Sequence, residues 1–370
     1  MIIAGEASGD QHGAHLVDEL KKSDPSLTFS GIGGQMMKES GVAIDYDLTK
    51  IAIIGFLEVL KHYLTFRKAF YGIIKKVKER KPQAVVLIDY PGFNLRLAKK
   101  LRGLGVKIIY YISPQVWAWK KNRVYFIKKH IDRMLVIFQF EKAFYAKHGV
   151  DVEFVGHPLI DEIKIGFSKQ EILSILGLHD YKLTIGLLPG SRPKEIERHL
   201  PVMIEAARIL LRKYPMTQFV IVKAPTIEEK TLEAYIPPDM KISIWAENPY
   251  DGISACDLCM VCSGTATLET AILNKPMVVV YITSWITYTL AKKLVKIPNI
   301  GLVNVVADKQ IVPECIQQDA TGAKIAKELE AIMINEPRIL DIKDELFKVK
   351  ESLGGGGASQ RAAGKILEVI

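Results

Sequence analysis

The stretch that decides the fold is Leu183-Thr184-Ile185-Gly186-Leu187-Leu188-Pro189-Gly190-Ser191-Arg192. A mostly apolar segment of strand length passes into a small polar turn, and a helical pattern that contains Glu195 and Glu197 follows. The same order of strand, turn and helix recurs along the chain. Strands rich in Val and Ile that alternate with helices are typical of parallel sheets covered on both faces. The sequence therefore predicts an α/β protein.

Strand candidates before this stretch lie at 1–4, 28–32, 84–88, 107–112, 133–137 and 152–155. From it onward they lie at 183–188, 218–222, 241–244, 258–262 and 277–282. Helical patterns occupy 11–22, 55–80, 93–103, 195–213, 265–273 and 321–334. The strand–helix pattern restarts near residue 183, which indicates two doubly wound domains in succession.

We predict an N-terminal domain at 1–160 and a C-terminal domain at 161–345, with a deep cleft between them. In such folds ligands bind at the carboxyl ends of the strands. The tail, 346–370, contains the four-glycine run 354–357 and then an apolar-periodic helix. Glycine permits a sharp change of direction. The last helix therefore either packs where it emerges or crosses to the first domain or to a partner subunit.

Composition and charge narrow the class of partner. The 370 residues are 49% hydrophobic and 25% charged, which excludes a disordered chain, a collagen and a disulfide scaffold. Residues 1–160 hold 25 basic and 15 acidic side chains, whereas residues 161–370 hold 25 and 26. The basic first half indicates a membrane surface, a nucleic acid or a phosphorylated substrate. Neither a membrane-spanning run nor a signal peptide is visible, which predicts a cytoplasmic protein.

Two turns of the second domain have the composition of an anion site. Gly190 frees the backbone, Ser191 offers a hydroxyl, and Arg192 can bind a phosphate in bidentate fashion. The second turn is Ser263-Gly264-Thr265-Ala266-Thr267-Leu268-Glu269, which again follows a strand and opens a helix. The two turns together favour a bound diphosphate. The alternative is a capping turn whose arginine pairs with Glu195 or Glu197.

Three stretches of the first domain follow strands in the same way. Gly5-Glu6-Ala7-Ser8-Gly9-Asp10 favours a polar ligand, or is a plain turn with Asp10 as the N-cap. The second stretch is Ile88-Asp89-Tyr90-Pro91-Gly92-Phe93-Asn94, in which the Asp89 carboxylate follows the end of a buried strand. Asp89 is either a general base or the cap of the next helix. Ser113-Pro114-Gln115-Val116-Trp117-Ala118-Trp119 has two tryptophans that either stack on a sugar or bury in a loop core.

Residues 56–81 combine large apolar side chains with eight basic and only two acidic residues. This composition is typical of an amphipathic helix in a membrane interface. The alternative is a core helix with a solvated basic face. The candidate membrane residues are Leu57, Leu60, Phe66, Arg67, Lys68 and Phe70.

Three of the four cysteines, Cys256, Cys259 and Cys262, have a C-x2-C-x2-C spacing that suggests a metal site. The surrounding sequence is that of a buried strand, in which cysteine packs as a small hydrophobe, and we favour that interpretation. We expect neither a metal nor a cofactor.

Five of these motifs occur in one order along the chain: the stretches at 5–10 and 113–119, Gly156-His157-Pro158, Leu188-Pro189-Gly190-Ser191-Arg192 with Glu195-Ile196, and the stretch at 263–269. In this order, and with Ala358-Ser359-Gln360-Arg361 in the tail, they resemble the lipid-A-disaccharide synthase family over the whole chain. The resemblance implies a GT-B fold of two Rossmann-like domains. It also implies an inverting, metal-independent transferase that joins UDP-2,3-diacylglucosamine to 2,3-diacylglucosamine 1-phosphate (lipid X). The product is a β-1,6-linked tetra-acyl disaccharide 1-phosphate, with release of UDP.

The resemblance also assigns roles to residues. Asp89 matches a family aspartate and is our general base, with Glu6 as the rival. Ser191, Arg192, Ser263, Gly264, Thr265 and Glu269 would bind the donor, as would Asn304, which aligns with an asparagine of a family Pro-Asn-Leu-Leu-Ala stretch. We expect the acceptor at Ser8, Gly9, Asp10, Gln115 and Trp117. The enzyme would lie on the cytoplasmic face of the inner membrane, as a monomer or a homodimer.

Two other classes compete with this interpretation. Other GT-B proteins, such as a UDP-N-acetylglucosamine 2-epimerase or a transferase acting on a prenyl-linked acceptor, share the turns of the second domain but lack the stretches at 5–10 and 113–119. A nucleic-acid binder would explain the basic pI of about 9.1. We expect no nucleic-acid partner, because the sequence shows no RNA- or DNA-binding motif and its basic residues interleave with large apolar ones.

Overall fold

The computed structural model describes residues 1–49, 63–118, 122–285, 288–289 and 298–370. These residues form two compact units, each described by itself below. Unit 1 comprises Met1–Asp161 together with Leu353–Ile370, and unit 2 comprises Glu162–Ser352. Each unit contains one parallel sheet with helices packed against it. The predicted α/β class is confirmed.

The strands of unit 1 are β1 (Ile2–Ala4), β2 (Ser30–Ile32), β3 (Ala43–Tyr46), β4 (Ala84–Ile88), β5 (Lys107–Tyr111), β6 (Arg133–Val136) and β7 (Glu153–Phe154). Its helices are α1 (Ala7–Ser23), α2 (Gln35–Glu39), α3 (Tyr63–Arg80), α4 (Pro91–Leu101), α5 (Arg123–His130), α6 (Gln139–Ala146) and α7 (Leu159–Glu162), which ends on the first residue of unit 2. A 3-10 turn, Arg102–Leu104, follows α4.

The strand order of unit 1 is β3-β2-β1-β4-β5-β6-β7, with every neighbouring pair parallel. The order therefore reverses between β1 and β4, where Ala4 pairs with Ile88. The central strands are buried on both faces, as their apolar runs predict; β4, Ala84–Ile88, is buried throughout. The carboxyl ends of β1 and β4 consequently meet at one edge of the sheet, next to each other.

The tail returns to unit 1. Its helix α16 (Ala358–Leu367) packs against α1. The Asp161 carboxylate accepts hydrogen bonds from the backbone N–H groups of Gly357 (2.7 Å) and Ala358 (2.9 Å). Gly357 has φ +85°, a conformation that glycine adopts without strain. Arg361 donates to the carbonyl of Val155 at 2.8 Å and to carbonyls of the glycine run.

The strands of unit 2 are β8 (Leu183–Leu188), β9 (Thr217–Val222), β10 (Ile242–Trp245), β11 (Leu258–Cys262), β12 (Met277–Tyr281) and β13 (Glu314–Ile316). Its helices are α8 (Lys169–Ile175), α9 (Pro193–Lys213), α10 (Glu229–Glu233), α11 (Pro249–Ala255), α12 (Ala266–Ile272), α13 (Leu302–Val306), α14 (Gly322–Met333) and α15 (Glu336–Ser352). A 3-10 turn, Gln317–Asp319, precedes α14.

The strand order of unit 2 is β10-β9-β8-β11-β12-β13, again parallel throughout. Its order reverses between β8 and β11, the two strands that carry the predicted anion-binding turns. The cysteines Cys256, Cys259 and Cys262 are buried free thiols at and beside β11. The first two flank Gly186 of β8, where a Cβ would come within 2.7 Å of the Cys256 Sγ. They are packing residues of the sheet, as the apolar sequence around them indicates.

Candidate active site

The two predicted anion-binding turns lie side by side at the switch point of unit 2. The first joins β8 to α9 and the second joins β11 to α12. Gly190 has φ +123° and Gly264 has φ +147°, which a residue with a Cβ rarely adopts. Glycine at these positions lets the backbone leave each strand sharply and expose its small polar residues. Both turns therefore border the place where ligands bind in open α/β sheets.

A cavity of about 410 Å³ opens between these turns. Six of the seven predicted donor-binding residues line it: Ser191, Arg192, Ser263, Gly264, Thr265 and Glu269. Its apolar wall includes Leu188, Val222, Ala224 and Pro225. A cavity with one apolar wall and a few convergent polar groups is the usual form of a small-molecule site.

Arg192 does not point freely into this cavity. Its guanidinium lies 2.9 Å from a Glu195 carboxylate oxygen, and the other oxygen of Glu195 accepts the backbone N–H of Ser191 at 2.9 Å. This ion pair between Arg192 and Glu195 is the one that the capping-turn alternative predicts. Because an exposed ion pair contributes little free energy, an anion that enters the cavity can replace Glu195 as the partner of Arg192.

The second turn supplies hydrogen-bond acceptors and a carboxyl group. The Ser263 hydroxyl donates to the carbonyl of Ile300 at 3.1 Å, so its remaining capacity toward a ligand is as an acceptor. Burial, and then the nearby charge of Glu162, raises the pKa of Glu269 to about 7. Glu269 can therefore both donate and accept at neutral pH, which suits a pair of ligand hydroxyls.

Asn304 lies elsewhere in unit 2. Its side chain is fully buried: the amide donates to the Val312 carbonyl and the Glu314 carboxylate, and its oxygen accepts the N–H groups of Ile311 and Val312. These bonds fold the segment before β13. The structure therefore does not place Asn304 among the residues that line the donor cavity.

Sequence reasoning missed two residues near this cavity. Tyr250 lines it beside Glu269; it follows Asn248-Pro249, a helix-start signal that comes directly after a strand. His199 lies inside α9, where its Nδ1 donates to the Pro189 carbonyl and its Nε2 accepts the N–H of Ile282. Burial lowers the pKa of His199, so the neutral ring bridges the first turn to the end of β12. No local sequence pattern predicts this bridge, because Ile282 lies 83 residues from His199 in the sequence.

In unit 1 the switch point brings Asp89 and Glu6 together. Glu6 follows β1 and Asp89 follows β4, and these strands are direct neighbours. Burial, and then the charge of Glu6, raises the pKa of Asp89 to about 6. A carboxylate with a pKa close to neutrality is matched to proton abstraction from an alcohol. Because the charge of Glu6 acts on Asp89, we take Asp89 as the candidate base and Glu6 as its neighbouring carboxylate.

The backbone at Asp89 is held in an unusual form. Asp89 and Tyr90 have φ values of +43° and +48°, in succession and without a glycine. The buried Asn94 amide donates to the carbonyls of Ile88 (3.0 Å) and Asp89 (2.8 Å), and the Tyr110 hydroxyl donates to the Asp89 carbonyl at 2.5 Å. Strained backbone conformations of this kind persist only where surrounding contacts hold them in place, and they cluster at active sites.

Two of the predicted acceptor residues serve the fold instead. Asp10 is buried, and its carboxylate accepts the N–H groups of Gly34, Met36 and Met37 at the start of α2. A Cβ at the buried Gly9 would lie 3.4 Å from the Cβ of Ala4, an ordinary contact distance, so α1 lies directly against β1 at this position. Neither residue offers a side chain to a ligand, because the Asp10 carboxylate is bonded inside unit 1 and Gly9 has none. Ser8 remains exposed beside Glu6.

Trp117 is also a core residue. It is 8% exposed, its ring packs edge-on against Phe140, and its Nε1 donates to Glu141 at 3.2 Å. Burial raises the pKa of Glu141 to about 8. The prediction that Trp117 meets the acceptor is therefore wrong, and the loop-core alternative holds for it. Gln115 is exposed, and Trp119 lies outside the described residues.

The basic amphipathic helix is described from residue 63 onward, so Leu57 and Leu60 lie outside the described residues. Phe66 and Phe70 are half-buried against the core of unit 1, so only part of each ring is accessible and their assignment to the membrane stays a prediction. Tyr63, Leu64 (74% exposed) and Tyr71 are exposed apolar side chains of the same helix. Arg67 and Lys68 are exposed on it as well.

The described residues include no helix with the length and hydropathy of a membrane span. Their His, Cys, Asp and Glu side chains form no group of three that could hold a metal ion.

Comparison with known proteins gives a family match over nearly the whole chain. The model of the family described as lipid-A-disaccharide synthetase matches residues 1–365. A lipid-A-disaccharide synthase of Geobacter metallireducens is 41% identical over 371 aligned positions, covering 100% of this chain and 97% of the relative. One from Syntrophus aciditrophicus is 42% identical over 374 positions, with the same coverage.

Solved structures share the fold at much lower identity. A UDP-GlcNAc 2-epimerase from Neisseria meningitidis, bound to UDP-GlcNAc, has a TM-score of 0.66 at 15% identity and covers 99% of each chain. The calicheamicin glycosyltransferase CalG4 has a TM-score of 0.61 at 13% identity, over 100% of this chain and 97% of its own. MurG from Acinetobacter baumannii has a TM-score of 0.60 at 15% identity, over 100% and 98%. These likenesses confirm the predicted GT-B fold.

Proposed function

The chain belongs to the lipid-A-disaccharide synthetase family and is a glycosyltransferase of lipid A biosynthesis; from this premise we propose its substrates and its mechanism. The donor is UDP-2,3-diacylglucosamine and the acceptor is 2,3-diacylglucosamine 1-phosphate. The acceptor 6-hydroxyl displaces UDP from C1 of the donor with inversion, which gives a β-1,6-linked disaccharide 1-phosphate. The observation that carries the mechanism is the Asp89 carboxyl group at the switch point of unit 1, with its pKa raised to about 6.

Asp89 acts as the general base. It takes the proton of the acceptor 6-hydroxyl as that oxygen bonds to C1 and the bond from C1 to the diphosphate breaks. Direct displacement needs a base of this kind, because an alcohol is a weak nucleophile until its proton leaves. Burial, and then the charge of Glu6, raises the pKa of Asp89. A carboxylate with a higher pKa is a stronger base, so Glu6 serves the reaction without taking the proton.

The cavity of unit 2 holds the UDP part of the donor. The epimerase from Neisseria meningitidis, which binds UDP-GlcNAc in its solved structure, shares this fold. Arg192 leaves Glu195 to contact the diphosphate, with Ser191 beside it, and Glu269 receives the ribose hydroxyls. Negative charge grows on the leaving diphosphate in the transition state, so the cationic and N–H groups that contact it stabilise that state most.

Both substrates carry acyl chains, and the protein meets them at a membrane. Helix α3 presents Tyr63, Leu64 and Tyr71 to solvent together with Arg67 and Lys68. Aromatic, aliphatic and basic side chains on one helix suit the interface of an anionic bilayer. We place the enzyme at the cytoplasmic face of the inner membrane, where this helix touches the lipid surface without crossing it.

Separate substitutions of the two carboxylates test the mechanism. Asp89→Asn keeps the size of the side chain but removes the base, and should lower kcat by at least about a hundredfold. Glu6→Gln should reduce kcat far less. The assay is UDP release from the donor in the presence of the acceptor in detergent, on variants whose circular dichroism matches the wild type. If Asp89→Asn turns over near the wild-type rate, Asp89 is not the base.

A further inference from the structure

Two adjoining cavities lie in unit 1 beyond the residues that the mechanism uses. One, of about 770 Å³, opens between helices α4 and α5. The other, of about 460 Å³, opens between helices α3 and α4. Phe70, Gly92 and Arg96 line both of them. The two cavities therefore share a wall formed by these three residues.

The first cavity is basic. Arg96, Lys99 and Lys100 are spaced i, i+3 and i+4 along α4, which places them on one side of the helix, and all three are exposed. Within the described part of the chain none of the three forms an ion pair with a carboxylate. An arginine with two lysines on one helix matches a phosphomonoester, because guanidinium binds two phosphate oxygens at once and ammonium adds point charges.

The second cavity is aromatic. Its walls include Tyr63, Phe66, Tyr71, Tyr90 and Phe93. Phe93 packs edge-on against Phe70 at 5.5 Å and stacks with Tyr90 at 5.9 Å, so the aromatic wall is continuous with the shared one. Such a surface accepts an alkyl chain, because burying the chain removes apolar area from water.

We propose that these two cavities together bind a phosphorylated acyl amphiphile, with the phosphomonoester at Arg96, Lys99 and Lys100 and the acyl chain in the aromatic cavity. The inference rests on the proposed function in one respect, which is that the natural ligand is the acceptor. Tyr90 and Pro91, the two residues after Asp89, line the aromatic and the basic cavity respectively. A ligand held there has its sugar next to the proposed base.

Direct binding of dodecyl phosphate, below its micelle concentration, tests the site without any transferase assay. The Arg96→Gln/Lys100→Gln variant should bind this probe at least about tenfold more weakly than the wild type, because two charge-assisted hydrogen bonds are lost. Dodecyl maltoside, which has the chain without the charge, should bind equally to both proteins. The Lys142→Gln/Lys147→Gln variant is the control: it loses the same charge from exposed positions of unit 1 that line neither cavity.

A second arm separates the acceptor phosphate from the phosphates of a membrane. Vesicles of phosphatidylglycerol should co-sediment with the Arg96→Gln/Lys100→Gln variant as they do with the wild type. If the variant instead loses vesicle binding and keeps dodecyl phosphate binding, these residues are a membrane contact and the proposal is overturned. Equal loss of dodecyl phosphate binding in the control variant would likewise overturn it, since net charge alone would then explain the effect.

Transfer kinetics keep the two proposals apart. The Arg96→Gln/Lys100→Gln variant should raise KM for the acceptor about tenfold and leave KM for the UDP donor unchanged. If the wild type transfers sugar but the variant has an unaltered acceptor KM, the cavity assignment fails and the proposed function stands. If the wild type binds dodecyl phosphate through Arg96 and Lys100 but transfers no sugar, the cavity assignment stands and the proposed function fails.

Discussion

Asp89 and Tyr90 hold two consecutive left-handed backbone conformations at the end of β4. Such residues cost about 1–3 kcal/mol each, so the surrounding bonds must hold them in place. Asn94 and Tyr110 supply those bonds through the carbonyls of Ile88 and Asp89. These bonds fix the backbone at Asp89 and thereby the direction of its carboxyl group, on which its proposed action as a base depends.

The pH dependence of kcat/KM follows from the Asp89 pKa. Burial raises this pKa to about 6, so the base is protonated below that pH and ionised above it. We therefore expect kcat/KM to rise with pH through an acid limb near pH 6. Glu6→Gln removes the negative charge that contributes to the raised pKa, so this limb should move to lower pH. The measurement is the pH–rate profile of both proteins under conditions where chemistry limits the rate.

The matched control for the pH profile is Glu19→Gln, which removes a carboxylate at the far end of α1. It should leave the acid limb in place.

Stability provides a second check on the same pKa. Since the Asp89 pKa lies above its ordinary 3.8, its ionisation disfavours the folded state as pH rises through that interval. Asp89→Asn should thus be at least as stable as the wild type at pH 8. If the acid limb of the pH–rate profile stays at the same pH in Glu6→Gln, the charge of Glu6 does not act on the pKa of the base.

Asn94 gives a prediction about positioning. Asn94→Ala removes two hydrogen bonds from buried carbonyls and should lower the free energy of unfolding by about 1–3 kcal/mol. It should also lower kcat, because Asp89 loses part of its support, while KM for the donor stays the same. Urea denaturation and steady-state kinetics measure the two effects. Full stability in Asn94→Ala, when compared with the exposed control Asn122→Ala, would show that Asn94 does not hold this backbone.

The sequence predicted Asp89, Glu6 and the donor turns because each follows a strand in a recognisable strand–turn–helix pattern. The errors at Asp10 and Trp117 have a common cause: sequence pattern places a residue on a loop but does not say which way its side chain points. Asp10 turns inward to cap α2, and Trp117 turns inward to Glu141. Both choices depend on partners 24 or more residues away in sequence, which no local pattern encodes.

At the scale of the element, helix α3 has two apolar surfaces. Ala69, Ile73 and Val77 are buried, and Phe66 and Phe70 pack beside them on the core of unit 1. Tyr63, Leu64 and Tyr71 lie outside that contact. The apolar content of residues 56–81 exceeds one core-facing stripe, as the sequence indicates. Only the structure separates the residues that stabilise the unit from those available to a lipid surface.

The membrane prediction therefore concerns the exposed residues. Leu64→Ser/Tyr71→Ser should reduce co-sedimentation with vesicles of phosphatidylglycerol and phosphatidylethanolamine several-fold, because apolar area is lost from the interface. The urea midpoint should stay the same, because both side chains are exposed. A matched variant, Tyr125→Ser/Tyr181→Ser, removes exposed aromatics from elsewhere in the chain and should leave co-sedimentation unaltered. Unchanged vesicle binding by Leu64→Ser/Tyr71→Ser would reject this contact.

The strands show where periodicity is informative and where it is not. Central strands such as β4, β8 and β11 are buried on both faces and were located from their apolar runs. Two of the four edge strands, β3 and β13, were missed, whereas β7 and β10 were located. β3 is partly exposed and has a register shift against β2, and β13 has three residues. A short or partly exposed strand buries little apolar area, so its sequence carries less of the signal.

At the scale of the whole molecule, the structure shows which elements carry the uneven charge of the chain. The basic excess of residues 1–160 includes Arg67 and Lys68 on α3 and the trio Arg96, Lys99 and Lys100 on α4. The near-neutral second half has its cavity lined by individually placed groups, among them Arg192 paired with Glu195. We propose a lipid-facing, phosphate-binding role for unit 1 and a nucleotide-binding role for unit 2.

Product analysis by mass spectrometry tests the proposed transfer reaction itself. Purified protein is incubated in detergent with UDP-2,3-diacylglucosamine and 2,3-diacylglucosamine 1-phosphate, with Asp89→Asn as the matched inactive protein. We expect one tetra-acyl disaccharide 1-phosphate, β-1,6-linked by NMR, formed together with an equal amount of UDP. Release of UDP without any disaccharide, an α-linked product, or equal product from Asp89→Asn would contradict the proposed reaction.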